Sequence, residues 1–179
     1  MRNLEAKFRL ANLERARMRA EAIGFVFSAT LMQRDTFFAV PHGKLKLREE
    51  ADGAALIHYR REAARGFELS NYTIARLTDP AATRAMLEAA LGVIAEVRKR
   101  RTLMLRENIR LHLDEVDRLG EFGEIEVVLP AEMVLAAEDS AGAGHAAIRE
   151  ILDALEVGTS DLITVSYFEL MDRMRQPPG

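Results

Sequence analysis

The sequence predicts an α+β fold: an antiparallel meander or β-barrel of about eight strands, with four helices. Three observations carry this. Segments in which apolar and charged residues alternate with period two recur along most of the chain. Short turns join most of them in sequence order, and four stretches with helical spacing interrupt or follow them.

The first strand places Asn3, Glu5, Lys7 and Arg9 on one face and Leu4, Ala6, Phe8 and Leu10 on the other. Further strands are expected over 33–40, 54–61, 68–77 and 94–105. Lys44, Lys46 and Arg48 alternate with Leu45 and Leu47, and Arg110, His112 and Asp114 with Ile109, Leu111 and Leu113. Glu124 and Glu126 alternate with Ile125 and Val127. A helix over 12–23 carries Leu13, Ala16, Ala20 and Ile23 on one stripe, with Gly24 as its stop. Asp79-Pro80 opens a helix over 80–91 that ends at Gly92. A third helix over 145–156 aligns Ile148, Ile151, Leu152 and Leu155, and a fourth over 160–174 aligns Ile163, Tyr167, Leu170 and Met174. The small residues of 137–145 read as a mobile connection, and 175–179 as a frayed tail. The chain therefore reads as one domain over 1–174.

Composition bounds the function. The 179 residues are 49% hydrophobic, enough for a sizeable core. With 25 basic and 28 acidic residues the net charge is −3, which argues against general nucleic-acid binding. There is no cysteine, so disulfides, thiolate zinc sites and cysteine nucleophiles are excluded. Arg2, Glu5, Lys7 and Arg9 occupy the place where a signal peptide needs an apolar run, and no segment approaches the ~20 apolar residues of a membrane span. A cytoplasmic protein without membrane contact is expected.

Alternating charge ordinarily marks a half-buried sheet, apolar inside and charged outside. Here the charged positions of a strand are undiluted by Ser, Thr or Gln: basic on some strands, acidic on others. If the sheet closes, the charged face can line the lumen while helices cover the apolar face. Such a lumen is costly unless its charges are paired or hold a ligand. A polyanion with divalent cations satisfies both signs, Lys and Arg holding phosphate oxygens and carboxylates holding Mg²⁺ or Mn²⁺. None of the four histidines is assigned as a ligand. His112 shares a face with Asp114, where pairing with a neighbouring carboxylate is its expected role.

The residues also match a family. Asn3-Leu4-Glu5-Ala6-Lys7 resembles the E-x-E-x-K signature of the CYTH domain family, part of the triphosphate tunnel metalloenzymes. Gln33-Arg34-Asp35-Thr36-Phe37-Phe38 is similar to a segment of its class IV adenylate cyclase branch. Gly43-Lys44-Leu45-Lys46-Leu47-Arg48-Glu49, Leu56-Ile57-His58-Tyr59-Arg60-Arg61 and Lys99-Arg100-Arg101 resemble its basic strands. His112-Leu113-Asp114-Glu115-Val116, Leu119-Gly120-Glu121-Phe122-Gly123-Glu124-Ile125-Glu126 and Ser166-Tyr167-Phe168-Glu169-Leu170-Met171 follow in the family's order.

The resemblance implies a triphosphate tunnel, an antiparallel eight-stranded β-barrel with helices packed outside, and a role for each position. Glu5, Glu124 and Glu126 would hold Mg²⁺ or Mn²⁺, with Asp114 as a further metal-side or water-positioning carboxylate. Lys7, Lys46, Arg48 and Arg101 would grip the triphosphate. Arg61 or Arg60 would add one more charge, the phase of that strand and of Arg98–Arg101 being open. Alternation adds Lys44, Lys99 and Arg110. Asp114, Glu126 and Arg101 are the catalytic candidates. The implied partner is ATP, tripolyphosphate or thiamine triphosphate, taken by a monomer or homodimer. The implied reaction is adenylate-cyclase-like, with triphosphate hydrolysis and binding without turnover as alternatives. Two positions depart from the pattern: Asn3 replaces a glutamate, and Val165 replaces a lysine before Ser166-Tyr167.

Overall fold

The computed structural model describes residues 2–64, 67–129 and 137–175. In chain order its elements are β1 (Arg2–Arg9), α1 (Leu13–Ala22), β2 (Val26–Phe38), β3 (Lys44–Glu50), β4 (Gly53–Ala64) and β5 (Phe67–Leu77). There follow α2 (Pro80–Leu91), β6 (Val93–Arg106), β7 (Ile109–Val116), β8 (Gly120–Leu129), α3 (Ala137–Ala154), β9 (Leu162–Ile163) and α4 (Tyr167–Arg175).

The first eight strands form one antiparallel sheet in the order β5-β4-β3-β2-β6-β7-β8-β1, and β1 pairs back onto β5 to close the barrel. On β1, residues 2–5 face β5, while Lys7 and Phe8 pair with Ile163 and Leu162 of the short β9. The C-terminal segment thus completes the edge that β5 leaves. Helix ends follow local chemistry. The Asn12 side-chain Oδ1 accepts from the Arg15 amide at 2.8 Å, and Asp79 Oδ1 accepts from the Ala82 amide at 2.9 Å. Gly92 ends α2 at a φ of 74°, which favours glycine.

The packing is inverted relative to a small barrel with an apolar interior. Leu4, Phe8, Leu111 and Ile125 point outward and are buried under Ala16 and Ala20 of α1 and Ile148 and Ile151 of α3. Phe38 and Leu47 are covered by Leu87 and Leu91 of α2. Each large side chain so buried contributes about 1.5–3 kcal/mol. A third cluster, Phe37, Tyr59, Val97, Phe122 and Tyr167, closes one end of the barrel from inside.

Three expectations are corrected. The segment 137–145 is the first half of α3, not a connection. It is alanine-rich, and Gly144 lets the helix approach β1, since a Cβ there would meet Leu4 Cδ2 at 3.2 Å. The last helix begins at Tyr167, because Thr159–Asp161 form a 3₁₀ turn and Leu162–Ile163 are β9. Strand β2 begins at Val26, where no amphipathic alternation announces it; pairing from Val26↔Leu105 to Phe38↔Val93 holds it extended. Of the expected tail, residues 176–179 lie outside the described residues.

Candidate functional site

Period-two geometry turns one charged residue after another into the lumen. A cavity of about 320 Å³ inside the barrel is lined by Asn3, Glu5 and Lys7 of β1, Lys46 and Arg48 of β3, Lys99 and Arg101 of β6, and Glu124 and Glu126 of β8, among others. The register settles both open phases. Arg61 lines the cavity and Arg60 is exposed; Lys99 and Arg101 are buried, while Arg98 and Arg100 face outward.

One wall is basic and rests on two buried acids. Asp35 of β2 accepts from Arg48 at 2.7 Å through each of its oxygens and from Lys46 at 2.9 Å. Burial alone would raise its pKa, but Arg48 and Lys46 outweigh that and hold it well below the usual range. Asp114 of β7 repeats the arrangement: Arg101 reaches it as a fork at 2.6 Å on each oxygen, with Lys99 at 3.1 Å and the Tyr167 hydroxyl at 2.9 Å. Here too burial is overcome by Arg101 and Lys99, and the carboxyl stays ionised. Desolvation, with Arg101 beside it, brings Lys99 down to about 7, and desolvation with Arg48 brings Lys46 down to about 8.

The opposite wall is acidic and less completely paired. Glu124 accepts from Lys7 at 2.5 Å and from Arg101 at 2.8 Å, with Arg61 at 3.5 Å. Glu126 lies across from Glu5 in the β1–β8 register. Arg61 approaches Glu5 at 3.1 Å, yet desolvation, reinforced by Glu124 and Glu126, raises Glu5 to about 7. His112, lowered by burial and by Arg101, turns Nδ1 toward Glu124 at 3.5 Å and Glu126 at 3.7 Å. Ligand atoms of His112, Glu124 and Glu126 all fall within 4.8 Å of one another. Asn3 Oδ1 is a buried oxygen without a hydrogen-bond partner, whereas Glu5 Oε2 meets the Arg61 guanidinium at 3.1 Å. One orphan amide oxygen beside three carboxylates forms a donor set of hard oxygen ligands that fits a divalent cation.

The cavity opens in one direction. On β7, exposure climbs from Asp114 at 0% through His112 at 6% to Arg110, whose side chain is 41% exposed. Leu31, Leu103 and Ile74 line the open end. The closed end is crossed by the start of α4, where the tilted rings of Tyr167 and Phe122 lie 5.0 Å apart and those of Phe168 and Phe37 4.9 Å apart.

Lys7, Lys46, Arg48, Arg61, Lys99, Arg101, Glu5, Glu124 and Glu126 are thus brought together, with Arg110 at the rim. Two expected residues stand elsewhere. Asp114 is fully buried beneath the wall with both oxygens engaged by Arg101, Lys99 and Tyr167, so it positions cations and does not face the cavity. Lys44 bonds Glu169 at 2.8 Å and Ser166 at 3.3 Å, fastening α4 to β3. Sequence reasoning passed over Asp35, although Gln33, Asp35 and Phe37 share the inward phase and its signal was the lone acid in an otherwise apolar and amide face. His112 lines the cavity beside Glu124 and Glu126, in keeping with its expected carboxylate pairing, while the aromatic lining residue Tyr59 carried no assigned site role.

A closed antiparallel barrel with an ionic lumen and its apolar face turned outward to the helices is the triphosphate tunnel architecture. The CYTH domain family model matches residues 1–140, and the chain belongs to that family. The fold is similar to that of the PH1012 protein from Pyrococcus horikoshii OT3 (TM-score 0.81, 23% identity, covering 94% of this chain and 98% of that one). It is also similar to a candidate adenylate cyclase from Vibrio parahaemolyticus (0.74, 21%, 95% and 97%). A third similar structure is a Hippeastrum protein, first taken for an adenylyl cyclase and described as having a dominant triphosphatase activity (0.64, 16%, 98% and 98%). No curated protein matches the sequence. Among the described residues, no helix is long and apolar enough to cross a membrane.

Proposed function

We propose that this chain is a divalent-cation-dependent enzyme that binds a triphosphate compound in the barrel and hydrolyses it. The observation that carries the reading is the division of the lumen by sign. Lys46, Arg48, Lys99 and Arg101 line one cavity with Glu5, Glu124 and Glu126, and the two sets meet where Arg101 bonds Glu124 at 2.8 Å. Phosphate oxygens on the basic wall would replace part of its pairing to buried acids, and would draw a proton onto Lys99, whose pKa of about 7 leaves it partly neutral. Asp35 and Asp114 hold the guanidinium forks of Arg48 and Arg101 in place before the ligand arrives, so little ordering remains to be done on binding. Glu5, Glu124 and Glu126, with Asn3 Oδ1, would hold Mg²⁺ or Mn²⁺, which when bound neutralises phosphate charge and polarises the phosphorus under attack.

Hydrolysis is favoured by size. About 320 Å³ lies at the lower end of small-molecule sites, so a triphosphate chain with its cations fills the charged part. An organic group would then rest at the mouth against Leu31, Leu103 and Ile74, and water is the nucleophile that reaches the inner phosphorus. Water attacks, the bond to the bridging oxygen breaks, and orthophosphate leaves with a diphosphate compound while one proton passes to solvent. The dominant triphosphatase activity of the Hippeastrum relative supports the same direction. A second reading, cyclisation of ATP to cyclic AMP and pyrophosphate by the ribose 3′-hydroxyl, is supported by the cyclase-branch motif Gln33–Phe38.

The test is thermal unfolding of the metal-free protein with tripolyphosphate, ATP or thiamine triphosphate, each with and without Mg²⁺ or Mn²⁺, the same wells being assayed for product. Expected is a cation-dependent rise of about 5–10 °C at a hundredfold excess over Kd, with release of orthophosphate. Cyclic AMP with pyrophosphate selects the second reading. Stabilisation without product makes the barrel a binding module, and no shift with any triphosphate ends the tunnel reading.

A further inference from the structure

Carboxylates are the expected cation ligands of this lumen; a histidine is not. We propose that His112 is a nitrogen ligand of the cation held by Glu124 and Glu126, and that it biases the site toward Mn²⁺ and later first-row ions over Mg²⁺. This rests on the reading that the tunnel holds a divalent cation, and adds the identity of a donor and the selectivity that follows.

The argument is geometric. His112 lies on β7 opposite Glu124 of β8, and Arg110, two residues back, lies opposite Glu126. The imidazole therefore stands over the gap between the two carboxylates, on the same face of the sheet. Its Nδ1 is 3.5 Å from Glu124 Oε2 and 3.7 Å from Glu126 Oε1. Both separations are too long for strong hydrogen bonds. Cis donors at about 2.1 Å from one octahedral ion stand roughly 3.0 Å apart, so each carboxylate would close on the imidazole by about 0.5–0.7 Å to share an ion with it. The side chain is 7% exposed and enclosed, so its orientation is set by packing.

A second observation points to a ligand at the same place. Asn3, 1% exposed, donates from Nδ2 to Glu126 at 3.3 Å, while its Oδ1 has no partner. A buried amide oxygen left open beside the carboxylates costs free energy unless something accepts its lone pairs. An imidazole nitrogen and a neutral amide oxygen added to the carboxylates make a softer set than the all-carboxylate cluster expected from the family signature. Mg²⁺ prefers hard oxygen donors in near-ideal octahedral geometry, whereas imidazole suits the transition ions.

The experiment is pulsed electron paramagnetic resonance of Mn²⁺ bound to the metal-free chain, with titration of Mn²⁺ and Mg²⁺ by calorimetry. Expected is echo-envelope modulation from one directly coordinated nitrogen in the wild-type protein. In His112→Gln that modulation is lost and the Mn²⁺-over-Mg²⁺ affinity ratio drops by roughly tenfold. The wild-type spectrum needs no variant, so a misfolded His112→Gln does not spoil the test. Bound Mn²⁺ without nitrogen modulation overturns the inference and leaves the cation reading standing. If Mn²⁺ does not bind at all, both fall together.

Discussion

The two walls of the lumen carry opposite charge, but they differ more in how complete they are. On the basic wall every cation has a buried acid beneath it: Asp35 under Lys46 and Arg48, Asp114 under Lys99 and Arg101. On the acidic wall Asn3 Oδ1 and Arg61 Nε are buried without hydrogen-bond partners, and Glu5, although ion-paired to Arg61 at 3.1 Å, is raised by desolvation to about 7. The cations of the first wall are paired by folding, although Gln33 Oε1 beside Asp35 is also buried without a partner. The second is finished only by something that folding does not supply. A cation accounts for that difference, and each half of the comparison can be broken separately.

The largest effect is expected on the basic wall. Asp114→Asn leaves Arg101 and Lys99 buried without their shared acid, and loss of one partner of a buried ion network costs about 3–5 kcal/mol. Thermal unfolding should fall by about 10 °C, in the presence or absence of Mg²⁺. A shift confined to the Mg²⁺-loaded protein would mean that Asp114 reaches the cation and that the wall is not self-sufficient.

The unfinished wall should behave in the opposite sense. The folded-state pKa of Glu5 is raised from 4.5 to about 7, chiefly by desolvation, with Glu124 and Glu126 adding to it and Arg61 and Lys7 opposing. Between these values the folded chain binds more protons than the unfolded one. The stability Glu5 contributes is therefore full below pH 4.5 and is lost as pH rises through 7, by up to about 3 kcal/mol. Glu5→Gln removes that loss, so the metal-free variant should gain on the wild type progressively from pH 5 to 7.5. Saturating Mg²⁺ should reverse the order. Parallel pH curves for the two proteins would refute the unfinished wall.

On the basic wall a milder change sharpens the contrast. Arg48→Lys keeps the charge but loses the fork to Asp35, and triphosphate affinity should drop about tenfold, with cation affinity unchanged. Calorimetric titration of tripolyphosphate and of Mg²⁺ separates the two; equal losses would mean that the walls do not act independently.

Much of this was legible in the sequence because the barrel has period two and its charges are not diluted. Glu5 and Lys7, Lys46 and Arg48, Glu124 and Glu126 could each be assigned to one face from their own strand. Arg98–Arg101 and Arg60–Arg61 could not, since consecutive basic residues carry no phase; only pairing such as Arg101↔Asp114 and Arg61↔Ser70 supplies it. Asp114 was assigned to the cavity because its phase is right. What a strand pattern does not carry is depth along the barrel, and at the closed end Tyr167 and Arg101 occupy its oxygens. Lys44 failed to reach the lumen for the same reason. It meets Glu169, which desolvation would raise but which Lys44 and Ser166 hold down at about 2.

The smallest expected effect concerns the residue that most separates this chain from the family signature. Asn3→Glu places a third carboxylate against Glu5 and Glu126, and like charges at that spacing should cost the metal-free protein about 1 kcal/mol. The same charge should tighten Mg²⁺ severalfold, because the ion gains an anionic ligand where it had a neutral amide oxygen. Tightening of Mg²⁺ beyond that of Mn²⁺ would follow if Asn3 and His112 together keep the set soft. If calorimetry finds Mg²⁺ affinity unchanged, the open oxygen of Asn3 does not face the cation, and the incomplete wall is a packing defect of Glu5 alone.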